Sequence, residues 1–423
     1  MLYFSRMYAN YCLPFSLFRA REFLKGSPND STGGSKPLLP SKADVVVIGG
    51  GVIGSSVAYH LSKRKVSVVL LEKNGLVSGT SGACGGLVYL QSKRPGTHLK
   101  LAMESRKQFD SLQHELGQDI DFRSHGGMIV GETPEELEAM RLFVQDQKAS
   151  GLEVTLLDGK QARELEPSLS EGVLGCTYSS LDGQVNPIAL ALAFLRKAKE
   201  KGAKIFSHTG VKGFGLESDR IVSVKTDAGT IETKRVVNAA GVHAPEIGRM
   251  VGVEIPIKPR RGQIVVTEAC APLLRRGLLS TKYIAAKYNP ALAETEELGI
   301  SVEQTKNGGF LLGSTREFVG FDRRTTWSAL KRIAVQTSRI LPALQGLRVI
   351  RTYAGLRPST PDGLPVLGPV PHVDGLFMAA GHEGDGIALS PITGQILAAW
   401  IVEGSPGMDV SAFKLERFMV PQY

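Results

Sequence analysis

Residues 44–73, DVVVIGGGVIGSSVAYHLSKRKVSVVLLEK, constrain this chain more than any other stretch. Residues 44–48 are a continuous β-branched run, the composition of a strand buried on both faces of a parallel sheet. The run passes directly into Gly49, Gly51 and Gly54 of a G-x-G-x-x-G turn. Ile53, Val57, Ala58 and Leu61 then recur at helical spacing, and 66–71 is a second apolar strand closing on Glu72. The first glycine allows a tight turn, the second lets a pyrophosphate approach the backbone at the helix N-terminus, and the third lets helix pack on strand. Glu72 stands where a carboxylate accepts from a ribose hydroxyl. The whole is a βαβ dinucleotide site, a form that NAD and FAD share.

A chain of 423 residues exceeds what one core usually holds, so two domains are expected. No apolar run reaches the ~18 residues that cross a bilayer, so no membrane span is expected. The net charge is +9, but residues 1–42 hold six Lys or Arg against Glu22 and Asp30. The rest is only mildly basic and lacks Lys/Arg clusters interleaved with aromatics, which argues against nucleic acid as a partner. Residues 1–42 read as an unstructured extension, with an organelle transit segment as the alternative. The location is accordingly cytoplasmic, or the mitochondrial matrix if that segment is a transit signal. Cys12, Cys84, Cys176 and Cys270 are scattered without a C-x-x-C pair, so no metal site is expected and a reducing compartment is.

Residues 79–86, GTSGACGG, are too rich in Gly, Ser and Thr for a regular element and suit a loop lying against a cofactor. A helix at 99–116 follows, and Thr133, Pro134 and Glu136 form the capping box of another. Asn186 and Pro187 are the N-cap and first residue of a third. Runs at 211–216, 221–226 and 230–237 read as an antiparallel meander ending in the small residues Ala239, Ala240 and Gly241. Strands at 260–266, 300–305 and 310–315 suggest a second sheet, followed by a helix at 327–341. The acidic stretch 291–299 reads as an exposed loop or lid. At the C-terminal end come a strand at 376–380, a glycine turn at 381–386, and a helix at 390–402 with Ser390 as N-cap and Pro391 at its first position. This second strand, turn and helix N-terminus favours negative charge placed against it.

The order GGGVIG with Glu72, TSGACGG, DGQVNP, NAAGVHAP, GLRPSTPDGLPVLG and GHEGDGIALSPITG resembles the FAD-dependent D-amino acid oxidase (DAO) superfamily over residues 43–402. Within it the chain is similar to glycine and sarcosine oxidases and to the flavoprotein subunits of opine oxidase, hydroxyproline dehydrogenase and hydrogen cyanide synthase. The resemblance implies an α/β fold. A Rossmann-type FAD-binding domain (43–90, 175–250, 346–405) would interleave with an antiparallel-sheet α+β substrate domain (91–174, 251–345). Non-covalent FAD would lie with its ADP half on Gly49, Gly51, Val52, Ile53, Gly54, Glu72 and Lys73. Val211, Ala240 and Gly241 would be near the adenine side. Thr80, Ser81, Gly85 and Gly86 would run beside pyrophosphate and flavin, and the ring would sit under Gly381, Gly384, Asp385, Gly386 and Ile387.

Arg357, in the G-x-R-P segment, would pair bidentately with a substrate carboxylate. His382 would relay a proton, and Glu383 or Asp385 would hold a substrate ammonium. The turn reads GHEGDG where glycine oxidases carry GHFRNG, which moves the reading from glycine oxidase proper towards the opine oxidase and cyanide synthase subunits. His243 is assigned to packing, and flavin attachment at Cys84 is an outside alternative. The implied reaction is oxidation of the C–N bond of a glycine-, sarcosine-, proline- or opine-type amino acid by hydride transfer to flavin, giving an imine that hydrolyses. Electrons would pass to oxygen or, slightly favoured, to a partner subunit in a hetero-oligomer. The rivals are an NAD(P)-dependent reductase, which leaves the second glycine turn unexplained, and a flavin-bearing electron-transfer subunit of a larger dehydrogenase.

Overall fold

The computed structural model describes residues 38–288 and 299–419, and the chain from Pro40 onward is one compact unit. The expected loop at 291–299 lies outside the described residues except for Gly299. A six-stranded sheet has the order Val366–Pro369, Leu376–Ala380, Val236–Asn238, Val45–Ile48, Val68–Leu71, Lys204–Phe206. Five of these strands are parallel, and Val366–Pro369 closes one edge antiparallel. Val45–Ile48 is central and wholly buried, as an apolar run without polar alternation requires.

Helix Val52–Lys63 packs against Pro187–Glu200 and Gly386–Glu403, and the latter also against Thr97–Leu116. A Cβ on Gly394 would lie 2.3 Å from Ser56 Oγ, so glycine sets how closely the two helices cross. Asn186 caps Pro187–Glu200 by accepting from Ile188 and Ala189 N–H at 3.1 and 3.0 Å. Thr133 caps Pro134–Ala149 through Glu136 N–H, while the Glu136 carboxylate returns to Glu132 N–H, one residue earlier than a standard capping box.

Three expectations are corrected. The last helix is Gly386–Glu403, with Asp385 at its N-cap and Pro391 inside it, five residues longer at its start than the Ser390 cap implied. Pro391 has no N–H for the Ile387 carbonyl four residues back, and Ser390 Oγ donates to that carbonyl instead at 3.0 Å. This 18-residue helix is also long and apolar enough to cross a membrane by length and composition, contrary to the expectation of no such run. It is 72% buried within the fold, as a core helix is. Finally, the run 230–237 is not one strand. Gly229–Glu232 completes an antiparallel sheet with Arg220–Thr226 and Val211–Glu217, and Val236–Asn238 joins the parallel sheet. Thr233 Oγ1, which accepts from Arg235 N–H at 3.3 Å, turns the chain between them.

The second sheet has eight strands in the order Val349–Ser359, Lys258–Ala269, Gly309–Gly313, Ser301–Gln304, Gly277–Ser280, Gly127–Gly131, Gly175–Ser179, Thr155–Asp158. All pairs are antiparallel except Gly277–Ser280 with Gly127–Gly131. Two of its strands, Gly175–Ser179 and Val349–Ser359, come from the segments 175–250 and 346–405 that were expected beside the cofactor. Met128, Val265, Leu278, Val302, Phe310 and Leu312 form its core with Ile333 and Ile340 of helix Trp327–Ile340. The register sets Arg260 opposite Arg357.

Candidate active site

A cavity of about 710 Å³ is lined by residues of both large sheets. Gly49, Gly51, Val52, Ile53, Glu72, Lys73, Thr80, Ser81, Gly85, Val211, Ala240 and Gly241 all face it. So do Arg357, His382, Glu383, Gly384, Asp385, Gly386 and Ile387. Gly54, Gly86 and Gly381 of the expected set stand behind the wall. A Cβ on Gly54 would lie 2.0 Å from Gly49 O, one on Gly86 1.8 Å from Val185 O, and one on Gly381 2.7 Å from Thr360.

The first glycine turn is made of neutral groups and one acid. Gly49 has φ 114° and a Cβ there would lie 2.4 Å from Ala239 O, so only glycine fits. Glu72 accepts from Gly50 N–H at 2.8 Å and Asn74 N–H at 2.7 Å, which fixes its carboxylate beside the turn. Ser81 Oγ accepts from Val52 N–H at 3.0 Å, and Thr80 Oγ1 donates to Leu356 O, so the 79–86 loop ties the turn to the strand that carries Arg357.

The second turn sits among buried charges. Arg357 donates through Nη1 to Thr315 O at 3.0 Å and through Nη2 to Ser314 Oγ. It lies over Gly262, where a Cβ would come within 2.5 Å of both terminal nitrogens. Glu383 is paired with Arg316, with Arg260 at 3.7 Å behind it. Burial alone would raise the Glu383 carboxyl, but Arg316, then Arg357 and Lys287, hold it below the usual range. Asp385 meets Lys287 at 2.8 Å, Lys93 at 2.9 Å and His98 at 3.4 Å. Burial would raise Asp385 too, yet Lys287 and Lys93 hold it well below the carboxylate range. Both carboxylates are therefore committed to cations of the chain, and the expected role of holding a substrate ammonium has no free acid among them.

His382 Nε2 lies 3.0 Å from Thr393 Oγ1, and burial pushes its pKa down to about 3, so the imidazole is neutral. Glu303 gives both carboxylate oxygens to Gly86 N–H, at 2.8 and 3.0 Å, and burial pushes it up to about 7. His243, assigned to packing from the sequence, lines the cavity, stacks on Phe321 with centroids 5.0 Å apart and meets Glu246 at 2.7 Å.

These residues suit FAD. Helices Val52–Lys63 and Gly386–Glu403 both start at the cavity, have no acid in the first turn and no side chain of their own N-cap on the free amides. Ser81 Oγ takes the Val52 N–H of the first, and both N-termini remain places for negative charge. Residues 44–400 match the model of the family described as FAD dependent oxidoreductase, DAO. The chain belongs to the DAO family.

This DAO-family chain is 33% identical over 419 residues to the hydrogen cyanide synthase subunit HcnC of Pseudomonas aeruginosa, covering 89% of this chain and 96% of that protein. It is 31% identical over 387 residues to glycine oxidase of Geobacillus kaustophilus, covering 90% and 98%. Among solved structures, L-proline dehydrogenase from P. horikoshii superposes with a TM-score of 0.83 at 30% identity, covering 90% of this chain and 99% of that one. The protein is thus an FAD-dependent oxidoreductase with FAD as its cofactor. The sequence reading of this flavoprotein missed Lys93, His98, Arg260, Tyr283, Lys287, Glu303 and Arg316. Lys93 and Arg316 lie in polar connecting segments and the others in ordinary strands or helices, and only the paired Arg260 and Arg261 ahead of an apolar strand offered a signal.

Proposed function

We propose that the chain oxidises the C–N bond of a small amino acid or N-substituted amino acid, with Arg357 as the carboxylate anchor. The carrying observation is a guanidinium facing the cavity, fixed by Thr315 O and Ser314 Oγ, with no carboxylate partner among the described residues. Bound FAD supplies a hydride acceptor. Arg357 fixes the substrate's orientation through two parallel hydrogen bonds, which holds the hydrogen-bearing carbon in one place. His382 lines the same cavity as a neutral imidazole, and its pKa of about 3 makes it only a weak proton acceptor there. Relatives named for glycine oxidase and L-proline dehydrogenase support this substrate class.

FAD is held without a covalent bond in this reading. Burial, with Glu303 next, pushes the Cys84 thiol up to about 12, so no thiolate is at hand for attachment. A partner subunit is the electron acceptor, a reading supported by the relative that is itself named as a subunit. Anaerobic reduction of the bound flavin by a panel of glycine, sarcosine, proline and opines tests the activity, and a flavin that no member bleaches sinks it. Arg357→Ala should raise KM at least tenfold with FAD content unchanged, as loss of a charge-assisted pair predicts. Near-stoichiometric peroxide per substrate consumed would overturn the partner acceptor.

A further inference from the structure

Arg316 lines the cavity and is 4% exposed. Its Nη1 is paired with Glu383, but Nε and Nη2 have no hydrogen-bond partner among the described residues. Those two nitrogens share the long edge of the guanidinium, the edge that grips a carboxylate through two parallel bonds. A buried donor pair of this kind is costly to leave without an acceptor. The guanidinium carbon lies 4.6 Å from the Tyr283 ring centroid, and this contact together with the Glu383 pair holds the edge in place.

Both nitrogens of the edge are buried, and Gly384 is the cavity residue beside Nη2. A Cβ there would lie 3.7 Å from Arg357 Nε and 3.9 Å from Arg316 Nη2, so both guanidiniums border the same side of the turn. The charges point the same way. Among the described residues, the ion pairs of Lys93, Lys287 and Arg316, and of Arg260 behind the wall, are to Glu383 and Asp385, and Arg357 has none. One substrate carboxylate on Arg357 leaves the Arg316 edge bare and the wall in positive excess. Tyr283 registers that excess: burial would raise its hydroxyl, but Arg316 and Arg357 bring it below the usual range.

We propose that the free edge of Arg316 is a second carboxylate site, so that the substrate is an amino acid carrying two carboxylates, one on Arg357 and one on Arg316. This assignment rests on the C–N oxidation proposed above. The second carboxylate sits on the nitrogen substituent or on the side chain. Arg260 does not share the role, since it lies behind Glu383, against Phe318, and outside the cavity lining.

Calorimetric titration of the FAD-loaded enzyme with malonate, succinate and glutarate, against butyrate as a single carboxylate, tests the site without turnover. The best dicarboxylate should bind roughly tenfold tighter than butyrate, the worth of one good charge pair. Arg316→Lys keeps a cation for Glu383 but removes the fork, and it should erase that preference while leaving butyrate binding and FAD content unchanged. Equal binding of butyrate and the dicarboxylates by the wild type overturns the proposal. So does Arg316→Lys weakening butyrate as much as succinate, because both guanidiniums would then share one carboxylate. Anaerobic flavin reduction with iminodiacetate and N-carboxymethylalanine, against aspartate and glutamate of either hand, tells a nitrogen-borne from a side-chain carboxylate. A kcat/KM higher for glycine, sarcosine or proline than for every dicarboxylate overturns the second site and leaves C–N oxidation standing. A dicarboxylate preference in calorimetry with no flavin reduction by any amino acid supports the site and overturns C–N oxidation.

Discussion

The molecule uses one backbone device twice, at residues 49–54 and at 381–386, and surrounds it differently each time. Both are a parallel strand, a glycine turn and a helix N-terminus facing the same cavity. Around the first stand backbone amides and Glu72, with steric fit deciding Gly49 and Gly54. Around the second stand two buried carboxylates and the cations that neutralise them. In the function proposed above, the first turn would hold a diphosphate, which neutral groups can do, and the second would lie beside the reacting atoms, where a field matters. The first region should fail by steric clash and the second by loss of charge balance.

The largest effect is expected at Asp385. Asp385→Ala leaves Lys93 and Lys287 buried without a counter-charge, which costs about 3–5 kcal/mol. Urea denaturation of the FAD-loaded enzyme measures it, and a loss confined to a few tenths would mean that the lysines find other partners. Gly54→Ala comes next and tests the other turn. Its Cβ would sit 2.0 Å from a backbone oxygen that cannot move aside, so a cost of about 3 kcal/mol with loss of FAD is expected. Full FAD retention by Gly54→Ala would break the steric half of the contrast.

Gly384→Ala separates the two turns more finely. Its Cβ would make only ordinary contacts, and its backbone is outside the left-handed region, so stability should stay within ~1 kcal/mol of wild type. The methyl group nevertheless occupies the space before Arg357 and Arg316, and KM should rise roughly tenfold or more. Unchanged kinetics would remove the substrate from that side of the turn.

The contrast also explains what the sequence made legible. The 44–73 unit is contiguous, so strand, turn, helix and Glu72 can be read from local pattern alone. Arg357 was found because its neighbours Gly355 and Pro358 mark the segment. Arg316 pairs with Glu383 across 67 residues, and Lys287 with Asp385 across 98, and no local pattern announces either pairing. Antiparallel register, not proximity along the chain, sets Arg260 opposite Arg357. Pro391 misled because a proline normally marks a helix start, and the compensating bond from Ser390 to Ile387 is visible only once the helix is formed.

The smallest expected effect lies between the two regions, at Glu303. Its carboxylate clamps Gly86 N–H at the end of the 79–86 loop, which elsewhere bonds to Val52 at the first turn and Leu356 beside Arg357. Burial raises its pKa to about 7, against the opposing pull of the Gly86 amide and Arg123. A carboxyl raised above its unfolded value holds its proton longer in the folded state. Its contribution to stability is therefore full below the ordinary glutamate range and is lost as pH rises through about 7. Glu303→Gln keeps an acceptor for Gly86 and removes the titration. The difference in Tm between wild type and Glu303→Gln, followed from pH 5 to pH 8, should move steadily against the wild type, roughly as one coupled proton requires. A difference that stays flat would mean that Glu303 is ionised throughout, and the field of the second turn would then reach the loop that joins it to the first.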